Sequence, residues 1–144
     1  MSFPIAPPLY NNWKFLAEDK LKEARVLLNA NKYSGAYYLA GYAIEFALKA
    51  CYCKTVKART FPPKPNIVTS LYAHDLNNLL VACGVKTAFE AKRTADQSFA
   101  DKWQVVKDWS EQSRYRKIKA SVARDLLKAI DGPDGILNWV KTLW

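Results

Sequence analysis

The sequence is poor in the residues from which most enzyme sites are built. It has a single histidine, His74, and five glycines in 144 residues. So little glycine argues against a Gly-rich phosphate loop, and neither an H-E-x-x-H pair nor a nucleophile elbow occurs. Three cysteines, an odd number, make a disulfide framework a poor explanation and a reducing cytoplasm the default expectation. Cys51 and Cys53 form C-x-C and Cys83 stands alone. Tetrahedral zinc requires a fourth ligand at a recognisable spacing, so the three read as small buried hydrophobes, and no metal or cofactor is expected. No apolar run reaches the roughly eighteen uncharged residues of a membrane span. The opening MSFPIAPPLYNNW has neither a basic region nor a continuous apolar one, which is not the pattern of a signal peptide. Alternating strand patterns of useful length, internal repeats and low-complexity segments are also missing.

Acidic residues are scarce where basic ones gather. The net charge is +9, from 22 basic and 13 acidic residues. Between Glu45 and Asp75 there is no carboxylate, whereas Lys49, Lys54, Lys57, Arg59 and Lys64 all occur. Arg114, Arg116, Lys117 and Lys119 form a second cluster, followed by Arg124 and Lys128. Such asymmetry fits an anionic partner, most commonly phosphate, as well as it fits a generally basic surface.

What the chain does have is apolar and aromatic residues, 50% and 13% of the total, enough for one globular domain. Its centre is Tyr33 to Lys54, YSGAYYLAGYAIEFALKACYCK. Ala36, Ala40, Ala43, Ala47 and Ala50 recur at three- and four-residue steps, on one side of a helix. Tyr37, Ile44, Leu48 and Cys51 widen that side, so the helix must be largely enclosed. Gly41, costing about 1 kcal/mol of propensity relative to Ala, signals a close contact.

Around this rod the other segments read as follows. Residues 1–12, with three prolines, form an N-terminal extended arm, and 13–144 a single helical domain. Asn11 or Asn12 caps a first helix from Trp13 to about Ala30, whose apolar stripe includes Leu16, Ala17, Leu21, Ala24 and Leu28. The short turn at Asn31 and Lys32 makes it an antiparallel neighbour of the central helix, which runs to about Lys57. Thr60 to Ser70, TFPPKPNIVTS, is extended. A short helix follows, with His74 or Asp75 at its cap, Leu76, Leu79 and Leu80 inward, and Gly84 at C′. Thr87 to Trp109 reads as a longer helix, with a break near Thr94. SEQSRYRK, 110–117, is a loop or helix start. A last helix carries Ala120, Ala123, Leu126, Leu127 and Ile130 inward. Gly132 then suits a C-cap and Pro133 an N1 position before a terminal turn or two. The fold class is all-α, an antiparallel up-and-down bundle of four to five helices.

Three constellations bear on chemistry. His74 beside Asp75 is either a cap or packed surface residue, or a base oriented by that aspartate. Glu45 lies on an otherwise apolar face, where a carboxylate is costly unless paired. Lys49, four residues on, or an arginine from elsewhere can be its partner, in a structural ion pair or in a ligand site. Arg114-Tyr115-Arg116-Lys117 brings two guanidinium forks beside an aromatic ring, suited to phosphate and to base stacking. The plainer alternative is a basic helix start with Tyr115 docked in the core.

YSGAYYLAGYAIEFALKA, AHDLNNLL and SRYR together resemble the HEPN domain, a family named for its occurrence in higher eukaryotes and prokaryotes and for nucleotide binding. The resemblance covers Trp13 to about Ile130. It implies an antiparallel helical bundle, a homodimer, and pairing with a nucleotidyltransferase-type protein in a toxin–antitoxin or defence module. Many members are metal-independent ribonucleases with an Arg followed, after about four to six mostly polar residues, by a His. There the His exchanges a proton at the ribose 2′-hydroxyl and the Arg stabilises phosphate charge. Arg114 matches that Arg, but Lys119, Ala120 and Ser121 stand where the His belongs. The resemblance therefore implies nucleotide or RNA binding by Arg114, Tyr115, Arg116, Lys117 and Lys119, with Glu45 and Lys49 as further candidates, and no standard cleavage chemistry. Two other readings stay open: a ribonuclease with its base relocated to His74, and a protein–protein interaction module.

Overall fold

In a computed structural model of the protein, residues 10–57 and 75–144 are described. The arm before Tyr10, the proline-rich segment 60–70, Arg59, Lys64 and His74 lie outside the described residues. Those described form seven α-helices, one 3-10 helix and no strand. The helices are α1 (Tyr10–Asn29), α2 (Tyr33–Lys57), α3 (Leu76–Ala82), α4 (Lys86–Ala95), α5 (Gln97–Lys107), α6 (Ala120–Ile130) and α7 (Ile136–Lys141). The 3-10 helix is Glu111–Tyr115.

The alanine side of α2 is the centre of the core. Ala36, Ala40, Ala43 and Ala47 are completely buried, with Ile44 and Leu48 beside them. α1 lies antiparallel to α2: Leu27 near its end packs over Gly35, where a Cβ would come within 3.2 Å of it, and Trp13 near its start meets Phe46 at a tilt with ring centroids 5.3 Å apart. The turn between them closes on Asn31 at φ 61°, with Lys32 N–H donating to Leu27 O at 2.8 Å and Asn31 N–H to Leu28 O at 3.0 Å. Asn tolerates this left-handed conformation better than most residues, and the pairing satisfies carbonyls left over at the helix end. α1 begins at Tyr10, so Asn11 and Asn12 lie inside it rather than capping it.

Asp75 caps α3 by accepting from Asn78 N–H at 3.0 Å, and Leu76, Leu79 and Leu80 are buried as their spacing requires. Gly84 follows at φ 73°. The helix expected over Thr87 to Trp109 divides at Asp96, whose carboxylate accepts from Phe99 N–H at 3.1 Å and so starts α5 afresh. This local bond competes with helix continuation, which is why an Asp mid-helix is weak. Phe89 and Phe99 still meet across the break, edge to face at 5.7 Å. Pro133 is not the first residue of a helix: it sits in the turn after Gly132, and α7 begins at Ile136.

Candidate nucleic-acid interface

The 3-10 helix is held against the N-terminal half of α2 by packing rather than by its own propensity. Trp109, just before it, is buried with its indole against Gly41, and its ring meets Tyr42 edge-on at 5.1 Å. Ile118, just after it, is buried and donates its N–H to Ser34 Oγ at 2.9 Å. Two anchors therefore pin the segment 110–117 to α2, and Arg114, Tyr115, Arg116 and Lys117 point outward between them.

Arg114 stacks on the Tyr115 ring, with its guanidinium carbon 4.7 Å from the centroid. Tyr115 is 71% exposed. It is not docked in the core. The Tyr115 hydroxyl, and after it that of Tyr38, holds the Arg114 pKa above its ordinary value. Arg116 is exposed near Tyr37, and Lys117 and Lys119 are exposed beside it. None of these four cations makes an ion pair with a carboxylate among the described residues. Lys119 is also the residue from which α6 starts, and no side chain caps that helix. Its first-turn N–H groups and the positive end of its dipole therefore face the same cationic surface.

Glu45 and Lys49 are placed differently. Glu45 is fully buried, its carboxylate 3.1 Å from Lys49 Nζ, and the Lys49 side chain is 14% exposed. Lys49 Nζ also stands 5.2 Å above the Trp13 ring. The pair lies inside the molecule, below the exposed cations. What connects the two levels is an aromatic ladder on α2, Tyr38, Tyr42 and Phe46, at four-residue spacing. The Tyr38 hydroxyl donates to that of Tyr42 at 3.3 Å, and the Tyr42 and Phe46 rings are 5.3 Å apart. Burial, then the Tyr38 hydrogen bond, then the charges of Glu45 and Glu111 push the Tyr42 phenol well above its ordinary range. It stays protonated and can only act as a neutral hydrogen-bonding group.

Sequence reasoning missed Tyr38, Tyr42 and Glu111. The signal for the first two is the aromatic repeat at 38, 42 and 46, which the stronger alanine repeat of the same helix masks. Glu111 gave none. It lines a cavity of about 320 Å³ together with Asp75, Trp109 and Gln112, so the start of α3 and the 3-10 helix share one recess. Two buried polar atoms at this level, Trp109 Nε1 and Ser113 Oγ, have no hydrogen-bond partner among the described residues.

Two of the three cysteines lie in the core as expected: Cys51 and Cys83 are buried, and burial raises the Cys51 thiol to about 12 and that of Cys83 higher still, whereas Cys53 is only half-buried. No group of three or more metal-ligating side chains occurs among the described residues.

The HEPN domain model matches residues 10–143. The chain belongs to the HEPN domain family. No curated protein and no solved structure matches it. For this HEPN domain, membership points to a nucleotide- or RNA-related function. No helix among the described residues is long and apolar enough to cross a membrane.

Proposed function

We propose that this HEPN domain binds nucleotide or RNA at the surface around the 3-10 helix and lacks the Arg–His cleavage chemistry. Arg114 engages phosphate, Tyr115 stacks on a base, and Arg116, Lys117 and Lys119 neutralise neighbouring phosphates. The observation that carries this reading is Arg114 stacked at 4.7 Å on an exposed tyrosine, with no carboxylate among the described residues to neutralise it. A planar guanidinium so held presents its outer N–H fork to a phosphate in bidentate fashion. A phosphate there would also meet the uncapped N-terminus of α6.

At the positions where the family's histidine belongs, Lys119, Ala120 and Ser121 offer no imidazole to take the 2′-hydroxyl proton. The reading extends to a cytoplasmic homodimer that pairs with a nucleotidyltransferase-type protein in a toxin–antitoxin or defence module. Native mass and co-purification measure that part, and a stable hetero-complex indifferent to nucleic acid would make this an interaction module instead.

The direct test is fluorescence anisotropy with a short labelled RNA. Binding should weaken as salt rises and weaken again in Arg114→Ala and Arg116→Ala. Salt-independent binding, or none at low salt, overturns the proposal. The same RNA should remain intact. Degradation that disappears in His74→Ala would establish the relocated-base ribonuclease in its place.

A further inference from the structure

A second cationic region lies away from the 3-10 helix, between the C-terminal end of α1 and α6. These elements border an open groove of about 750 Å³ that shares no lining residue with the segment 110–117. That volume falls within the roughly 300–1,000 Å³ of small-molecule sites, too large for a bare ion alone. Leu28 and Leu127 line it, and Arg25, Arg124, Lys128 and Asp131 supply its charge.

Those four charges do not cancel. Asp131 is already committed: its carboxylate accepts from Arg25 Nε at 2.6 Å and Nη2 at 2.5 Å, and from Gly132 N–H at 2.8 Å. This bidentate pair neutralises itself and forms one wall. Arg124 and Lys128, one turn apart on α6, pair with no carboxylate among the described residues. At that spacing their side chains leave the helix about 5–6 Å apart, a distance over which one phosphate can take both.

Arg124 is also pre-positioned. Its guanidinium lies 5.4 Å from the Tyr33 ring centroid and Nη2 donates to the Tyr33 hydroxyl at 3.4 Å. That hydroxyl in turn donates to Asn31 Oδ1 at 2.9 Å. The orienting chain ends on the turn between α1 and α2, so less side-chain freedom is lost on binding.

We propose that the α1–α6 groove is a second phosphate-binding site, independent of Arg114, in which Arg124 and Lys128 hold the phosphate of a nucleotide. Leu28 and Leu127 give the sugar or base an apolar surface. The same chemistry is offered by a free mononucleotide and by one residue of an RNA strand.

The experiment is a pair of NMR titrations of the full chain at low ionic strength, one with AMP and one with a hexa-adenylate RNA. Amide shifts for Asn29–Asn31 and Arg124–Gly132 are expected, saturating together. In the double variant Arg124→Gln with Lys128→Gln, affinity read from those amides should fall at least about tenfold, as for loss of charge-assisted hydrogen bonds. In Arg114→Ala it should be unchanged. Groove shifts with AMP alone identify a mononucleotide site. Shifts with the hexanucleotide, together with a salt slope about 1.4 shallower in the double variant, identify a strand-binding site. No groove shifts with either probe, or shifts that survive the double variant, overturn the proposal whatever happens at Arg114. Loss of Arg114-dependent binding alone leaves the groove's own shifts in place and bears only on the first site.

Discussion

Gly41 and Trp109 are in face-to-face contact with no space for another atom: a Cβ built at residue 41 would lie 2.0 Å from Trp109 Cε2 and 2.1 Å from Cδ2. Both obstructing atoms belong to a rigid ring, and that ring is the inner anchor of the segment bearing Arg114. Gly41→Ala should therefore destabilise by about 1–3 kcal/mol of overpacking, less the roughly 1 kcal/mol regained in helix propensity. Because the displaced indole carries the 3-10 helix with it, RNA affinity should fall as well. Thermal melts and anisotropy on the same variant check both halves. An unchanged melting temperature would mean the indole has space to retreat.

Ser113 supplies the opposite case. Its hydroxyl is buried without a hydrogen-bond partner among the described residues, a condition that costs about 1–3 kcal/mol. Ser113→Ala removes the unsatisfied group and only one heavy atom. Stability should rise by up to about 1 kcal/mol in denaturant titration, with RNA binding by the neighbouring Arg114 unaltered. A loss of stability would show that the hydroxyl has a partner in solution.

Tyr115 is exposed, so its side chain contributes little to the fold. Tyr115→Ala should leave stability within about 0.5 kcal/mol of wild type in denaturant titration. It should weaken short-RNA binding by about 1–3 kcal/mol, the cost of losing one base stack. Tyr115→Phe keeps the ring and should bind nearly as wild type. Equal losses in the two variants would replace stacking with a role for the hydroxyl.

The Arg25–Asp131 pair gives a pH dependence. Hydrogen bonding from Arg25 holds the Asp131 carboxyl below its ordinary value, so the folded chain takes up that proton later than the unfolded chain does. The stabilisation is complete above about pH 4, the ordinary aspartate value, and is lost as pH falls through the lowered folded one. Both side chains are a third or more exposed, which limits the effect to roughly 0.5–1 kcal/mol. The difference in melting temperature between wild type and Asp131→Asn should be present at pH 7 and vanish toward pH 3. A difference independent of pH would mean the pair is not what the substitution removes.

The alanine side of α2, the stripe of α1, and the inward leucines of α3 and α6 were legible because they rest on a 3.6-residue period, a property of adjacent residues. Arg114-Tyr115-Arg116-Lys117 was legible as a composition. Whether Tyr115 faced the core or the solvent was not. That depended on Trp109 finding Gly41 and on Ile118 finding Ser34, contacts between residues some seventy to eighty positions apart. Pro133 was misplaced for a related reason: its ring suits a first helical turn, but Gly135 and Ile136, packed against the core, define where α7 begins.

The sequence by itself determined that this chain is a helical HEPN domain with excess positive charge. Periodicity, charge and motif are local, and locality survives without coordinates. Only the tertiary structure decided which cations stand free. It sank Glu45 into the core against Lys49, set Arg25 against Asp131, and left Arg114, Arg124 and Lys128 exposed, with no carboxylate partner among the described residues. A charge is neutralised by whatever packing brings within about 4 Å, and sequence order does not fix that distance.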